Sequence, residues 1–140
     1  MRIEPNDDQA IGAPQAGAGG VRMLLRAEGL AVFALSLALY AQTDAGWLLF
    51  ILLFFAPDLS FLGYLVGSRV GAALYNAAHS YVGPAVLAAA GMLGGPPDLL
   101  AWALIWAAHI GLDRAMGYGL KYARGFSFTH LGRIGRATAA

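Results

Sequence analysis

The chain has 140 residues, of which 59% are hydrophobic and 12% are charged, and its formal net charge is +1. Soluble domains carry about 25% charged residues. The chain has too few charges to cover the surface of a soluble domain, so its composition predicts an integral membrane protein. The sequence has no cysteine, which excludes disulfides and thiolate ligands, and it has no basic stretch interleaved with stacking aromatics that would indicate a nucleic-acid partner.

The first segment, residues 1–21, combines acidic residues, prolines and a Gly/Ala-rich run. It lacks the basic start and the short apolar core of a signal peptide. We therefore expect it to be a disordered cytoplasmic extension.

Four apolar segments follow, each close to the roughly 20 residues that a transmembrane helix needs. They are Met23–Ala41, Ala45–Val66, Val70–Leu93 and Leu99–Tyr118. Short loops between helices make sequential helices antiparallel neighbours. The sequence therefore predicts an all-α fold, an antiparallel bundle of four transmembrane helices, for the membrane domain of residues 22–122.

Basic residues lie on only one side of this predicted bundle. They flank the first span, occupy the second loop, and close or follow the last span: Arg22, Arg26, Arg69, Arg114, Lys121, Arg124, Arg133 and Arg136. The positive-inside rule then places both termini in the cytoplasm. Residues 123–140 form a basic cytoplasmic tail that either lies on the inner leaflet or is simply solvated.

Ionisable side chains within the predicted spans are costly in hydrocarbon and mark functional sites. Asp58, His79 and His109 each lie about nine residues from the cytoplasmic end of their spans, which is roughly 13 Å of helical rise. A second layer lies about one turn nearer that end and consists of Glu28, Asn76 and Asp113. Because independent placement would scatter these groups, we predict one polar cluster that faces the interior of the bundle.

A proline directly precedes the deepest carboxylate. Pro57 lacks a backbone N–H and predicts a kink in the second span, next to Asp58 and close to Ser60. In a membrane such a break is tolerated only where protein or water satisfies the freed backbone groups. We expect this segment to form the floor of a cavity.

Each of these residues also has a plainer interpretation. Glu28 can snorkel to the interface or pair with an arginine of another helix, and Asp113 can close the last helix together with Arg114. The three deepest groups can form a purely structural hydrogen-bond network. His130, in the tail, is expected to be solvated.

Several short motifs resemble the domain-of-unknown-function 4260 family of small bacterial integral membrane proteins. They are Pro57-Asp58-Leu59-Ser60, Tyr75-Asn76-x-x-His79, His109-x-x-x-Asp113-Arg114 and Thr129-His130-Leu131-Gly132. The resemblance covers about residues 24–134 and implies a fold and a place in the bacterial inner membrane, with no activity attached. This sequence has Phe128 where family members often carry an acidic residue, so no role is transferred to His130.

The first hypothesis is a metal-dependent membrane enzyme. Asp58, His79 and His109 suit zinc or non-haem iron, and bound metal would activate water for hydrolysis or support redox chemistry on a lipid or apolar substrate. Asp113 would orient His109 and, with Glu28 as general acid/base, complete the catalytic set. Asn76 and Ser60 would support this cluster.

Two alternatives remain open at this point. Carboxylates and histidines at mid-depth are the parts of a proton relay, which predicts a proton-coupled transporter or channel subunit. Four short helices are few for one pathway, so that hypothesis requires a homo-oligomer. The other alternative is a non-catalytic accessory protein, in which the polar cluster only fixes the register of the helices.

Overall fold

The computed structural model describes residues 18–123 and 127–133, which are mainly helical. The helices are α1 (Ala18–Tyr40), α2 (Trp47–Phe54), a 3₁₀ helix (Ala56–Leu65), α3 (Ser68–Ala78), α4 (Val82–Met92) and α5 (Asp98–Met116). A small antiparallel ribbon follows, formed by β1 (Phe128–Thr129) and β2 (Gly132–Arg133). The prediction of a helical fold is confirmed for the described residues. The ribbon, which lies within the predicted tail, was not predicted.

The N-terminal helix begins earlier than expected. α1 starts at Ala18, so residues 18–21 are helical although they were assigned to the extension. Residues 1–17 of the predicted extension lie outside the described residues.

Three stretches are long and apolar enough to cross a membrane: Gly19–Tyr40, Trp47–Leu65 and Asp98–Met116. Large apolar side chains on the molecular surface agree with this, since Leu65 is 84% exposed and Leu93 is 87% exposed. Soluble monomers rarely expose large contiguous apolar patches.

The second stretch changes helix type at the predicted proline break. Pro57 lies at the start of the 3₁₀ helix and has no N–H to give to the carbonyl of Leu53. With rises of 1.5 and 2.0 Å per residue, α2 and the 3₁₀ helix together reach about 32 Å, close to the thickness of a bilayer core. The predicted break in the helix at Pro57 is confirmed, and the 3₁₀ form of the following ten residues is new.

The prediction of one continuous third helix over Val70–Leu93 is wrong in its middle. α3 ends at Ala78 and α4 begins at Val82. Pro84 explains the break, because it cannot donate an N–H to the carbonyl of Ser80. Each half has 11 residues and spans only about 16 Å, so neither can cross a bilayer alone.

α5 is the element on which the others pack, since α1, α2 and α4 all contact it. α1 and α5 approach each other closely, since a Cβ on Gly111 would lie 2.7 Å from the backbone nitrogen of Phe33 and 2.8 Å from the carbonyl oxygen of Gly29. Small residues of this kind let helix backbones meet in an apolar environment.

We expect Gly111→Ala to destabilise the fold by about 1–3 kcal/mol, because the new methyl group meets backbone atoms that cannot rotate away. Thermal unfolding in detergent measures the effect. Gly19→Ala is the matched control, since its Cβ would meet nothing within 4 Å. Equal unfolding midpoints for the two variants would contradict the close contact.

Candidate metal centre

Three side chains from three different elements converge on one point. Asp58 comes from the 3₁₀ helix, His79 directly follows the last residue of α3, and His109 comes from the middle of α5. The Oδ1 atom of Asp58 lies 3.5 Å from Nε2 of His79 and 3.4 Å from Nε2 of His109. The two Nε2 atoms are 3.2 Å apart. The predicted ligand set is therefore brought together as a nearly equilateral triangle.

The edges of this triangle match the spacing of ligands around one metal ion. Bonds of 2.0–2.2 Å to a tetrahedral zinc ion place neighbouring ligand atoms roughly 3.3–3.6 Å apart. Of the described residues, Asp58, His79 and His109 are the group of His and carboxylate side chains able to hold a metal ion. Both imidazoles are buried and the carboxylate is partly exposed.

The 3₁₀ helix aligns Asp58 with the surface of α3. Three residues per turn place Asp58, Phe61 and Tyr64 along one side of the helix. The Phe61 ring packs 5.1 Å from the Tyr75 ring, and the ring of Tyr64 fills the space where a Cβ on Gly71 would lie. These contacts hold Asp58 against the end of α3.

The environment of His79 sets the orientation of its ring. Its Nδ1 lies 3.0 Å from the carbonyl oxygen of Tyr75, which fixes the tautomer in which Nδ1 donates and Nε2 keeps its lone pair for the centre. The ring also stacks on the Tyr75 ring at 3.8 Å. His79 is fully buried, so this orientation is held from several sides.

His109 faces the same point but is held differently. Its ring packs 5.2 Å from the ring of Phe54. Its Nδ1 is buried and has no hydrogen-bond partner within the described part of the chain. Two Nε2 atoms at 3.2 Å require a shared proton or a cation between them.

Asp113 lies on the ligand side of the imidazoles, not behind them. Its Oδ2 is 3.5 Å from Nε2 of His79 and 3.9 Å from Nε2 of His109, and it accepts a hydrogen bond from the Tyr75 hydroxyl at 3.3 Å. Asp113 therefore approaches His109 from the side of Nε2, and its role in orienting that ring stays a prediction. Side chains four residues apart share a helix face, which is why Asp113 points where His109 points.

Glu28 is not part of this cluster, which corrects the prediction of a single polar layer. The buried stripe of α1 passes through Gly29, Ser36 and Tyr40. A residue next to that stripe is turned by about 100°, so Glu28 is exposed and faces a second cavity beside Arg114.

Asn76 serves as an anchor for the segment after α5 instead of a member of the centre. Its side-chain amide donates to the carbonyl of Lys121 at 2.8 Å and accepts from the Lys121 N–H at 2.7 Å. The Lys121 ammonium then lies 5.1 Å from the centre of the Tyr75 ring. Burial lowers the pKa of Lys121, and the Asp113 carboxylate partly opposes this.

Ser60 lines an apolar cavity next to the centre. The cavity has a volume of about 340 Å³ and is bordered by Pro57, Ala78, Leu87, Trp102 and Trp106. The Ser60 Oγ is buried and has no hydrogen-bond partner in the described residues. A hydroxyl in this position can bind a polar atom of a molecule that enters the cavity.

Two side chains that the sequence did not predict as functional stabilise the break between α3 and α4. The Trp106 indole donates to the carbonyl of Ala78 at 2.6 Å, and Arg114 donates to the carbonyl of His79 at 2.8 Å. Carbonyls freed in an apolar environment need such partners. Gly83-Pro84 was the available signal for the break, but nothing in the sequence identified these two donors.

A family model described as Domain of unknown function (DUF4260) matches residues 22–134. The matched range includes every residue of the triangle and of its surroundings described above. No curated protein and no solved structure matches the chain.

We expect Trp106→Phe to lower stability by about 1–3 kcal/mol, because it leaves the Ala78 carbonyl without its donor. The readout is the thermal unfolding midpoint in detergent. Trp102→Phe is the matched control, since Trp102 borders the same cavity but is 43% exposed. If both variants unfold at the same temperature, the indole bond does not stabilise the break.

Proposed function

The chain belongs to the Domain of unknown function (DUF4260) family, and since that description assigns no activity, we propose a function from the site itself. The protein is a zinc-binding membrane protein whose metal centre hydrolyses a lipid or another apolar substrate. The triangle of Asp58, His79 and His109, with edges of 3.2–3.5 Å, carries this proposal.

Two of the three edge lengths and the ligand set support zinc as the metal. An octahedral ion with bonds of about 2.1 Å would hold neighbouring ligands about 3.0 Å apart. The two edges from Asp58, at 3.4 and 3.5 Å, agree with a tetrahedral ion, and the edge between the histidines, at 3.2 Å, lies between the two geometries. Two imidazoles and one carboxylate are also a ligand set of catalytic zinc, which leaves a fourth position for water.

Asp113 is the group that would accept a proton at this centre. Zinc lowers the pKa of a bound water to about 7, and the Asp113 carboxylate lies on the same side as the ligand nitrogens. The Tyr75 hydroxyl holds Oδ2 through a hydrogen bond. This arrangement supports attack by water on an ester or amide carbonyl.

The adjoining cavity supports an apolar substrate. Its lining residues include the chain neighbours of two ligands, Pro57 beside Asp58 and Ala78 beside His79. A volume of about 340 Å³ lies at the small end of the roughly 300–1,000 Å³ of ligand sites and suits one acyl chain. The Ser60 hydroxyl would donate to the carbonyl oxygen of that chain.

The exposed apolar surface and the distribution of basic residues support a membrane placement as part of this proposal. α1, the pair formed by α2 and the 3₁₀ helix, and α5 cross the bilayer, while α3 and α4 together make the fourth crossing of an antiparallel bundle. Both termini lie in the cytoplasm, and the membrane is the inner membrane of a bacterium. Broken helices occur at membrane depth where they line a site.

Purified protein should contain close to one zinc per chain, and both His79→Ala and His109→Ala should lose it, because each removes one corner of the triangle. Elemental analysis by mass spectrometry measures the content. The third histidine provides the control, since His130→Ala leaves the triangle intact and should keep the metal. Wild-type protein without metal would contradict the proposal and favour the proton relay.

We also expect the protein to hydrolyse long-chain acyl esters in the presence of zinc. Leu87→Trp should slow this hydrolysis about tenfold, because the larger ring fills the acyl cavity. Val86→Trp is the control, since Val86 is 65% exposed and does not border the cavity. Product release from esters of different chain length measures both variants. Equal slowing by both substitutions would exclude the cavity as the acyl site.

A further inference from the structure

A second cavity has no residue of the triangle in its lining and shares no lining residue with the cavity beside Ser60. It has a volume of about 470 Å³ and is bordered by α1, by α5, by the residue before α4 and by the turn between β1 and β2. Its polar lining residues are Glu28, Tyr81, Arg114 and His130, and Leu25 and Val32 supply apolar lining. None of these side chains takes part in the proposed hydrolysis.

Arg114 is a buried cation at the wall of this cavity. Its exposed fraction is 8%, and its guanidinium donates to the carbonyls of Tyr118 and His79. No carboxylate oxygen of the described residues lies within 4.0 Å of it. The Asp113 carboxylate interacts with this guanidinium only from beyond ion-pair distance. A buried cation without a directly paired anion is costly, so this wall favours an anionic ligand.

Glu28 faces the same cavity with the opposite charge. No basic nitrogen of the described chain lies within 4.0 Å of its carboxylate. The nearby Arg26 instead donates to the carbonyl of Ala115 at 2.7 Å. The cavity thus holds a guanidinium and a carboxylate that do not form an ion pair, and a ligand that carries both charges would satisfy both.

His130 adds a donor whose hydrogen position is defined. Its Nδ1 accepts a hydrogen bond from the Leu120 N–H at 2.8 Å, so the ring hydrogen resides on Nε2. Burial, with a smaller contribution from the Arg114 charge, lowers the pKa of His130 and keeps the ring neutral near pH 7. The neutral ring can then donate to an anion beside Arg114.

We propose that this cavity binds a phosphoethanolamine group, with the phosphate at Arg114 and His130 and the primary ammonium at Glu28. The apolar wall of Leu25 and Val32 would hold the first part of an acyl chain. The same headgroup chemistry has two sources, a phosphatidylethanolamine of the bilayer or free phosphoethanolamine. Phosphatidylglycerol offers no cation to Glu28, and the quaternary ammonium of phosphatidylcholine has no N–H to donate.

The full chain is reconstituted separately in nanodiscs of phosphatidylcholine that contain a small fraction of phosphatidylethanolamine or of phosphatidylglycerol. Native mass spectrometry after release counts the lipids that stay bound. We expect one phosphatidylethanolamine to be retained. Glu28→Gln should weaken its retention about tenfold, the loss of one charge-assisted hydrogen bond. Asp98→Asn, a charge removed at an exposed carboxylate that does not border the cavity, should leave it unchanged.

The zinc content of Glu28→Gln serves as a separate readout and should stay at the wild-type level, so failure of this proposal and failure of the metal site are distinguishable. If free phosphoethanolamine displaces the lipid, the headgroup alone is sufficient for binding and the ligand can be the soluble molecule. If it does not, the ligand is the intact phosphatidylethanolamine. Equal retention of the two added lipids, or retention unchanged in Glu28→Gln, would overturn the proposal.

Discussion

When a helix breaks in an apolar environment, the carbonyls that lose their backbone partners need other hydrogen-bond donors. The rest of this structure depends on the side chains that supply those donors. The break between α3 and α4 frees the carbonyls of Ala78 and His79. The Trp106 indole and the Arg114 guanidinium, both on α5, donate to them. α5 also carries His109 and Asp113. The hydrogen bonds that stabilise the break therefore hold His79 next to these two side chains.

The same break gives His79 a position that a continuous helix would not provide. At the end of α3 its Nδ1 can reach the carbonyl of Tyr75, and its Nε2 is then directed towards Asp58 and His109. In the same way, the helix break at Pro57 positions Asp58, because the 3₁₀ helix that follows holds this residue against α3. The site is therefore assembled from two interruptions of regular helix and one straight helix.

The sequence was sufficient to predict the three corners of the triangle, because ionisable residues at similar depth in apolar segments have few reasons to be there. Glu28 is also an ionisable residue in an apolar segment, but it lies at the second cavity and not at the triangle. Depth along a helix says nothing about direction around it, and direction on α1 is decided by the contact of Gly29 with Gly111. Asn76 likewise lies at the expected depth but anchors Lys121 through both of its amide atoms, a long-range contact that spacing does not reveal.

The central claim is that one zinc ion joins Asp58, His79 and His109, and X-ray absorption at the zinc edge of the purified protein tests it most directly. We predict a four-coordinate ion with two imidazole nitrogens and oxygen neighbours at about 2.0–2.2 Å. A six-coordinate oxygen shell without imidazole, or protein that binds no zinc, would contradict the account.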